Sequence, residues 1–424
     1  MTLLFVWLAP VGSAHAQSWL SDRRRAEGRG IRLGDFELHP GVGAEVGYLS
    51  NPFFSERPRS TPSLRVVPHI FLSTLRDERL GADASKPGWV NFAGGLSGSF
   101  QRFFRDDINV INVDLNADAT FAPERPVSFR VTELLRRSAV PFGDTASYPT
   151  QAEAFRIANY TNYYENASAQ LLFQTAGGLL RGGVGYRFGY TWFDDEGFAA
   201  NSNMTHSATF NLGWEFLPKT ALFYEALYSY QNYTNADDMD RQVFTHLVNN
   251  HQLLTRIGIN GAITSRIGAT LALGYSAGFY ESGEEPEGLI GSLEGRYVPS
   301  VNSELALVLD RAFVPSYQGN FQDRIRGFAR FRWLFVGALL LAARAGVEFL
   351  SFGYDIVQMS GRDDRRYFAD INGEYRFVDW LALTMQAGVL VDDTDFAFRA
   401  INGALANPAK FTAVEAWLGV RAFL

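Results

Sequence analysis

Four arginines stand within the fifteen residues FQDRIRGFARFRWLF, Phe321 to Phe335. A guanidinium stays charged at any ordinary pH and offers only hydrogen-bond donors. The chemistry open to such a cluster is recognition of anionic groups. Arg324, Arg326, Arg330 and Arg332 hold even positions, while Ile325, Ala329, Phe331, Trp333 and Phe335 hold odd ones. Successive side chains of a strand point to opposite faces, so this segment predicts one guanidinium face and one apolar face. A soluble core would reject the arginines, and a nucleic-acid-binding helix would not carry so much apolar bulk.

The elements that must position these arginines repeat the same pattern from about Phe36 onward. In INVINVDLNADATF, Ile111, Val113, Leu115, Ala117 and Ala119 alternate with Asn112, Asp114, Asn116, Asp118 and Thr120. VGYRFGYTW and DINGEYRF behave alike, which is strand periodicity with one strongly apolar face. About eighteen such segments follow one another, centred on Val42, Ile70, Leu96, Leu115, Phe129, Ala169, Phe188, Phe210, Phe223, Ile257, Leu273, Leu293, Leu307, Ala329, Ala345, Ile371, Met385 and Val420. Many exceed ten residues, longer than strands of soluble sheets and long enough to cross a bilayer at a steep tilt.

Connections alternate in length. FLPKTA, TSRI, YVPSVNS, LFVGA and FVDWL predict tight turns, and longer polar connectors such as DDEGFAANSNM, TNADDMDRQ, ESGEEPEG, DIVQMSGRDD and DTDFAFRAINGALANPA lie between them. Outer-membrane barrels pair short periplasmic turns with longer outer loops. RDERLGADASKPG and FRDD invert that order in the first hairpins. The last strand, AVEAWLGVRAFL, sets Val414, Ala416, Leu418, Val420, Ala422 and Leu424 on one apolar face, with Phe423 on the other. Tyr48, Trp192, Trp214, Tyr228, Tyr297, Trp333, Tyr375 and Trp380 fall toward strand ends, as an interfacial girdle requires. Lipid supplies no hydrogen-bond partners, so a β chain spans it only as a closed barrel. The predicted fold is all-β, a transmembrane antiparallel up-and-down barrel of about eighteen strands over residues 36–424.

Composition agrees with that class. The chain has 424 residues, 47% hydrophobic and 14% aromatic, with 40 glycines, no cysteine and a formal charge of −7. No run of eighteen apolar residues predicts a helical span. The acidic balance argues against nucleic acid as a partner. The start, MTLLFVWLAPVGSAHAQ, predicts a signal peptide over 1–16, cut after Ala14-His15-Ala16, although no Lys or Arg precedes its apolar run. Residues 17–35 then form a short periplasmic segment, too short for a plug or docking domain.

With the apolar face toward lipid, strand parity assigns the other face to a lumen. Its basic members are Arg187, Arg256, Arg296, Arg324, Arg326, Arg330, Arg332, Arg344, Arg366, Arg376 and Arg421. Its acidic members are Glu45, Asp114, Asp118, Glu215, Glu294, Glu304, Asp310, Glu348, Asp370, Glu374 and Glu415. The predicted pore wall centres on Arg324, Arg326, Arg330, Arg332, Arg344 and Arg376, with Glu304, Asp310 and Glu348 beside them. Two roles are open to these arginines: contact with an anionic solute, or neutralising ladders with acids on adjacent strands. Small residues such as Gly268, Thr270, Gly274, Ser276 and Gly278 leave room on another wall.

No catalytic residue, metal site or cofactor is predicted. Thr205-His206-Ser207 splits between two faces, and His246 and His251 lack metal-ligand spacing. Asp237, Asp238 and Asp240 suit a solvated acidic loop.

GDFELHPGVGAEVGYLSNPFF, Gly34 to Phe54, resembles the opening of a group of Gram-negative outer-membrane barrels through Pro40, Gly41, Gly43, Gly47, Tyr48, Asn51 and Phe53. EYRFVDWLALTMQAG resembles hairpins of the same group, which includes β-barrel porin families and barrels of exopolysaccharide export systems. The resemblance implies an outer-membrane conduit working with a periplasmic export protein that has no membrane-spanning part. It transfers no functional residue. The functional expectation is a channel for exported polysaccharide, with an acidic glycan against the arginines. A general diffusion porin for small solutes, or an anchor for a motility or envelope complex, is the alternative.

Overall fold

The structure is a computed structural model that describes residues 30–52, 58–74, 88–123, 125–138, 161–194, 196–237, 247–316, 321–355, 360–399, 405–408 and 410–424. Eighteen strands form the barrel. We number them β1 (Phe36–Leu49), β2 (Thr61–Thr74), β3 (Val90–Phe103), β4 (Ile108–Phe121), β5 (Val127–Ser138) and β6 (Asn162–Gln174). Next come β7 (Leu180–Phe193), β8 (Asn203–Leu217), β9 (Thr220–Tyr233), β10 (Asn250–Ala262), β11 (Ile267–Tyr280) and β12 (Glu287–Ser300). The last are β13 (Ser303–Pro315), β14 (Phe321–Phe335), β15 (Leu339–Asp355), β16 (Ser360–Val378), β17 (Leu381–Asp393) and β18 (Phe411–Phe423). Each segment centre read from the alternation falls inside one of these strands.

Every strand pairs antiparallel with its chain neighbours, and β1 closes the ring on β18 from Gly41 opposite Phe423 to Leu49 opposite Glu415. Closure leaves no unpaired sheet edge facing lipid. The alternation follows from what each face meets. On β14 the odd side chains Ile325, Phe331, Trp333 and Phe335 are exposed on the outside, and on β18 Val414, Leu418 and Val420 are. All eight aromatic residues expected at the girdle are exposed as well. An apolar outer band around a closed sheet is the architecture of a membrane-crossing barrel.

Turns set the registers. Between β14 and β15, Val336 and Gly337 take φ of 47° and 72°, and the Ala338 amide donates to the Phe335 carbonyl at 3.1 Å. Two left-handed residues match the twist of a tight hairpin, which glycine at 337 eases. This turn fixes Arg330 opposite Arg344.

The structure departs from the sequence reading at three places. Ile31–Leu33, within the expected lead-in segment, folds back as a short strand on Phe36–Leu38. The connector DIVQMSGRDD is partly strand, because β15 runs to Asp355 and β16 begins at Ser360. Within DTDFAFRAINGALANPA, Ala397–Arg399 pairs with Leu405–Pro408 as a separate small ladder. The start of β16 is charged on both faces, so alternation could not reveal it, and the other strands are only three or four residues long. The signal peptide, His246, Asp238, Asp240 and the connector after β2 lie outside the described residues.

Candidate functional site

Strands β13 to β17 carry the arginine wall, and their register lays its inward side chains out in rungs. A rung toward the loop end runs Asp310, Arg326, Glu348, Arg366 and Asp392, each directly opposite the next. Charges alternate strictly along it. Arg326 Nε donates to Asp310 Oδ1 at 2.9 Å, and another Arg326 nitrogen lies 3.9 Å from Glu348. Arg366 lies 3.7 Å from Glu348 and hydrogen-bonds Asp392. Arg324 joins from two residues along β14, 3.9 Å from Asp310. Three guanidiniums thereby meet three carboxylates, and the side chains of Arg366 and Asp392 are 2% and 0% exposed. Buried charges of this kind persist only when paired.

The next rung is apolar: Val308, Phe328, Gly346, Phe368 and Leu390. Gly346 is required there, because a Cβ would stand 2.4 Å from the Phe328 Cβ and 2.5 Å from the Gly327 carbonyl oxygen. The two rings also seat charge. The Arg326 guanidinium lies 5.0 Å from the Phe328 centroid and that of Arg344 5.0 Å from Phe368.

The third rung breaks the alternation. It runs Arg296, Ala306, Arg330, Arg344 and Asp370, so Arg330 and Arg344 are direct cross-strand neighbours of the same sign. Like charges in that position repel, and the side chains splay. Arg344 Nε donates to Asp370 Oδ2 at 2.9 Å. Arg330 turns the other way, 3.6 Å from Glu294 and 3.8 Å from Glu304. Both stay open to the lumen, with side chains 44% and 33% exposed. Toward the short turns, Glu304 stands opposite Arg332. Glu374 accepts from Arg376 Nε at 3.0 Å and from Arg421 at 3.1 Å. Over this inner half of β12 to β18, Arg296, Arg330, Arg332, Arg344, Arg376 and Arg421 stand among Glu294, Glu304, Asp370, Glu374 and Glu415.

The nine residues predicted for the pore wall therefore divide. Arg324, Arg326, Asp310 and Glu348 belong to the closed outer rung. Arg330 and Arg344 form the open one, with Arg332, Glu304 and Arg376 beyond it. Sequence parity missed Arg362, Asp364, Asp392 and Arg65. Arg362 Nε donates to Asp364 Oδ1 at 2.7 Å on the part of β16 that read as a connector. There Asp363 and Arg365 occupy the outer face, so both faces are charged and no alternation shows. Arg65 pairs with Glu45 across β1 and β2, its guanidinium 4.2 Å from the Trp417 centroid. A lone arginine in an apolar stretch gave no cluster to notice.

No known family model matches the chain, and no curated protein sequence is similar to it. Among solved structures it is similar to the FrpB iron transporter from Neisseria meningitidis (F5-1 variant) at 10% identity, covering 93% of this chain and 83% of that one, with a TM-score of 0.47. It is also similar to the siderophore receptor PirA from Pseudomonas aeruginosa at 8% identity, over 93% and 81% of the two chains, with a TM-score of 0.42. At such identities the functional reading rests on this chain's own residues, and the likeness at Gly34–Phe54 stands on those residues alone.

Proposed function

We propose that this chain is an outer-membrane channel for anionic cargo, and that its native cargo is an acidic polysaccharide on its way out of the cell. The observation that carries the reading is the third rung. Arg330 and Arg344 are placed side by side against mutual repulsion, and neither is closed off by its carboxylate. A wall built only for stability would alternate sign there, as the rung two steps away does. Half-exposed guanidiniums in a confined polar lumen attract anions while binding them weakly enough to release them. The surplus of arginine lies toward the periplasmic turns, where an exported polymer would enter. The barrel acts as a passive, non-enzymatic conduit, and a periplasmic export protein without its own membrane span would hand cargo to it.

The charge-balanced outer rung supports a second reading, general diffusion of small solutes, since a charge-balanced wall discriminates little. Two measurements separate the readings. Purified barrel in planar bilayers should conduct with an anion preference that falls in Arg330→Ala/Arg344→Ala. Deletion of the gene should remove surface acidic polysaccharide. Unchanged polysaccharide with intact anion conductance would leave only the diffusion reading, and a barrel that never conducts would sink both.

A further inference from the structure

Across the lumen from the arginines, the wall is built from different chemistry. Three successive inward rungs over β6 to β9 run Asn166, Gly189, Thr205 and Gln231, then Ser168, Arg187, Ser207 and Ser229, then Gln170, Gly185, Thr209 and Leu227. Amides, hydroxyls and glycines fill all of these places except those of Arg187 and Leu227, and Arg187 is the only charged residue among them. Charges bordering this wall are paired with one another. Arg136 meets Asp114 at 3.0 Å and Arg181 meets Glu215 at 3.2 Å, while Arg130 bonds Asp118 and Arg256 bonds Glu225.

Glycine brings polar side chains together here. A Cβ at Gly185 would stand 2.7 Å from Gln170 Cγ and 2.8 Å from Thr209 Oγ1, so both side chains lean over Gly185 from the flanking strands. Gln170 and Thr209 are 8% and 9% exposed, and neither makes a hydrogen bond to another described residue. Their polar atoms are not sealed from the lumen. In the adjoining rung Ser168 Oγ lies 2.6 Å from Thr132 Oγ1, whereas the hydroxyls of Ser207 and Ser229 have no such partner among the described residues. A polar group taken largely out of water costs stability unless something pairs it. The charged wall pairs most of its groups internally, and this one holds a carboxamide and hydroxyls toward the lumen. Both group types donate and accept hydrogen bonds, which is what a sugar hydroxyl requires.

Strands β6 and β15 lie half a ring apart, and Gln170 and Arg344 both sit in the short-turn halves of their strands. A polymer passing between them meets guanidiniums on one side and neutral donors and acceptors on the other. We infer that Gln170 and Thr209, with Ser207 and Ser229 beside them, bind free hydroxyl groups of a sugar. The cargo is then a polysaccharide that presents carboxylates along one edge and unsubstituted hydroxyls along the other. The inference rests on the polysaccharide cargo proposed above and adds a second wall to its recognition.

The test is calorimetric titration of the folded full chain, in neutral detergent, with hexagalacturonate and with its methyl ester, which keeps the ring hydroxyls and loses the charge. The native chain should bind both, the acid more tightly. Gln170→Leu/Thr209→Val keeps side chains of similar shape and deletes their polar ends, and should weaken binding of acid and ester alike by about ten-fold. Arg330→Ala/Arg344→Ala should weaken binding of the acid and leave that of the ester unchanged. No binding of the ester to the native chain, or unchanged ester binding in Gln170→Leu/Thr209→Val, would overturn the sugar wall. Heat-modifiable gel migration shows whether that variant is a folded barrel. If it is not, Ser207→Ala/Ser229→Ala takes its place, with a loss of about three-fold expected and no loss overturning the wall. An arginine variant that binds the acid as the native chain does would instead overturn the anionic cargo and leave the hydroxyl contacts standing.

Discussion

Two rungs of one wall, a single apolar rung apart, use arginine in opposite ways. The rung from Asp310 to Asp392 alternates acid and base over five strands and is nearly closed to solvent. The rung from Arg296 to Asp370 sets Arg330 against Arg344 and leaves both side chains partly exposed. Composition differs, two arginines with three carboxylates against three arginines with one, and so does the order of charges along the rung. Alternation gives Arg326, Glu348 and Arg366 an opposite charge on both sides and each end carboxylate an arginine on one, so the network needs no ligand. Adjacent like charges turn apart, Arg344 to Asp370 and Arg330 to Glu294 and Glu304, and their partly exposed remaining donors face the lumen.

The strongest way to break the comparison is to unbalance the closed rung. Arg366→Met leaves Glu348 and Asp392 without their shared partner, and should cost about 3–5 kcal/mol of stability. Urea unfolding followed by gel migration measures this, with anion preference unchanged. The double variant Arg366→Met/Asp392→Leu should recover a substantial part, because the buried carboxylate then leaves with its partner. A loss no larger than that of a surface pair would mean that the outer rung is not a closed network.

The apolar spacer between the rungs comes next. Gly346→Val forces Phe328 off the strand, and overpacking of this kind costs about 1–3 kcal/mol. Because Arg326 and Arg344 rest on the rings of Phe328 and Phe368, both rungs should shift, so stability and ion selectivity change together.

Smaller stability effects belong to the open rung, where exposure screens charge. Arg330→Ala/Arg344→Ala should change stability by less than about 1 kcal/mol after screening by solvent, while moving the reversal potential in a salt gradient toward zero. Asp370→Asn should shift stability least and selectivity the other way, because it frees Arg344 from its carboxylate. If Arg366→Met altered selectivity as much as the open-rung variant, the division of labour between the rungs would fail.

Much of this was legible in residue order. Lipid outside and water inside impose opposite demands on alternate positions, so period-2 alternation located all eighteen strands and assigned Arg324, Arg326, Arg330 and Arg332 to one face. That logic stops where both faces meet water. The start of β16, with Asp363 and Arg365 outward and Arg362 and Asp364 inward, therefore read as a connector. It also stops at isolated charges such as Arg65, whose partner Glu45 lies on a separate strand.

What the sequence by itself determined is the barrel, its strand count and which face each arginine takes, because these depend only on local alternation against two solvents. Only the tertiary structure decided which arginines are satisfied. A shift of register by two residues keeps every side chain on its face and changes every neighbour. Turns such as Val336–Gly337 choose among those registers, bringing Arg326 to Glu348 and Arg330 to Arg344. Face is a property of one strand, whereas pairing belongs to two.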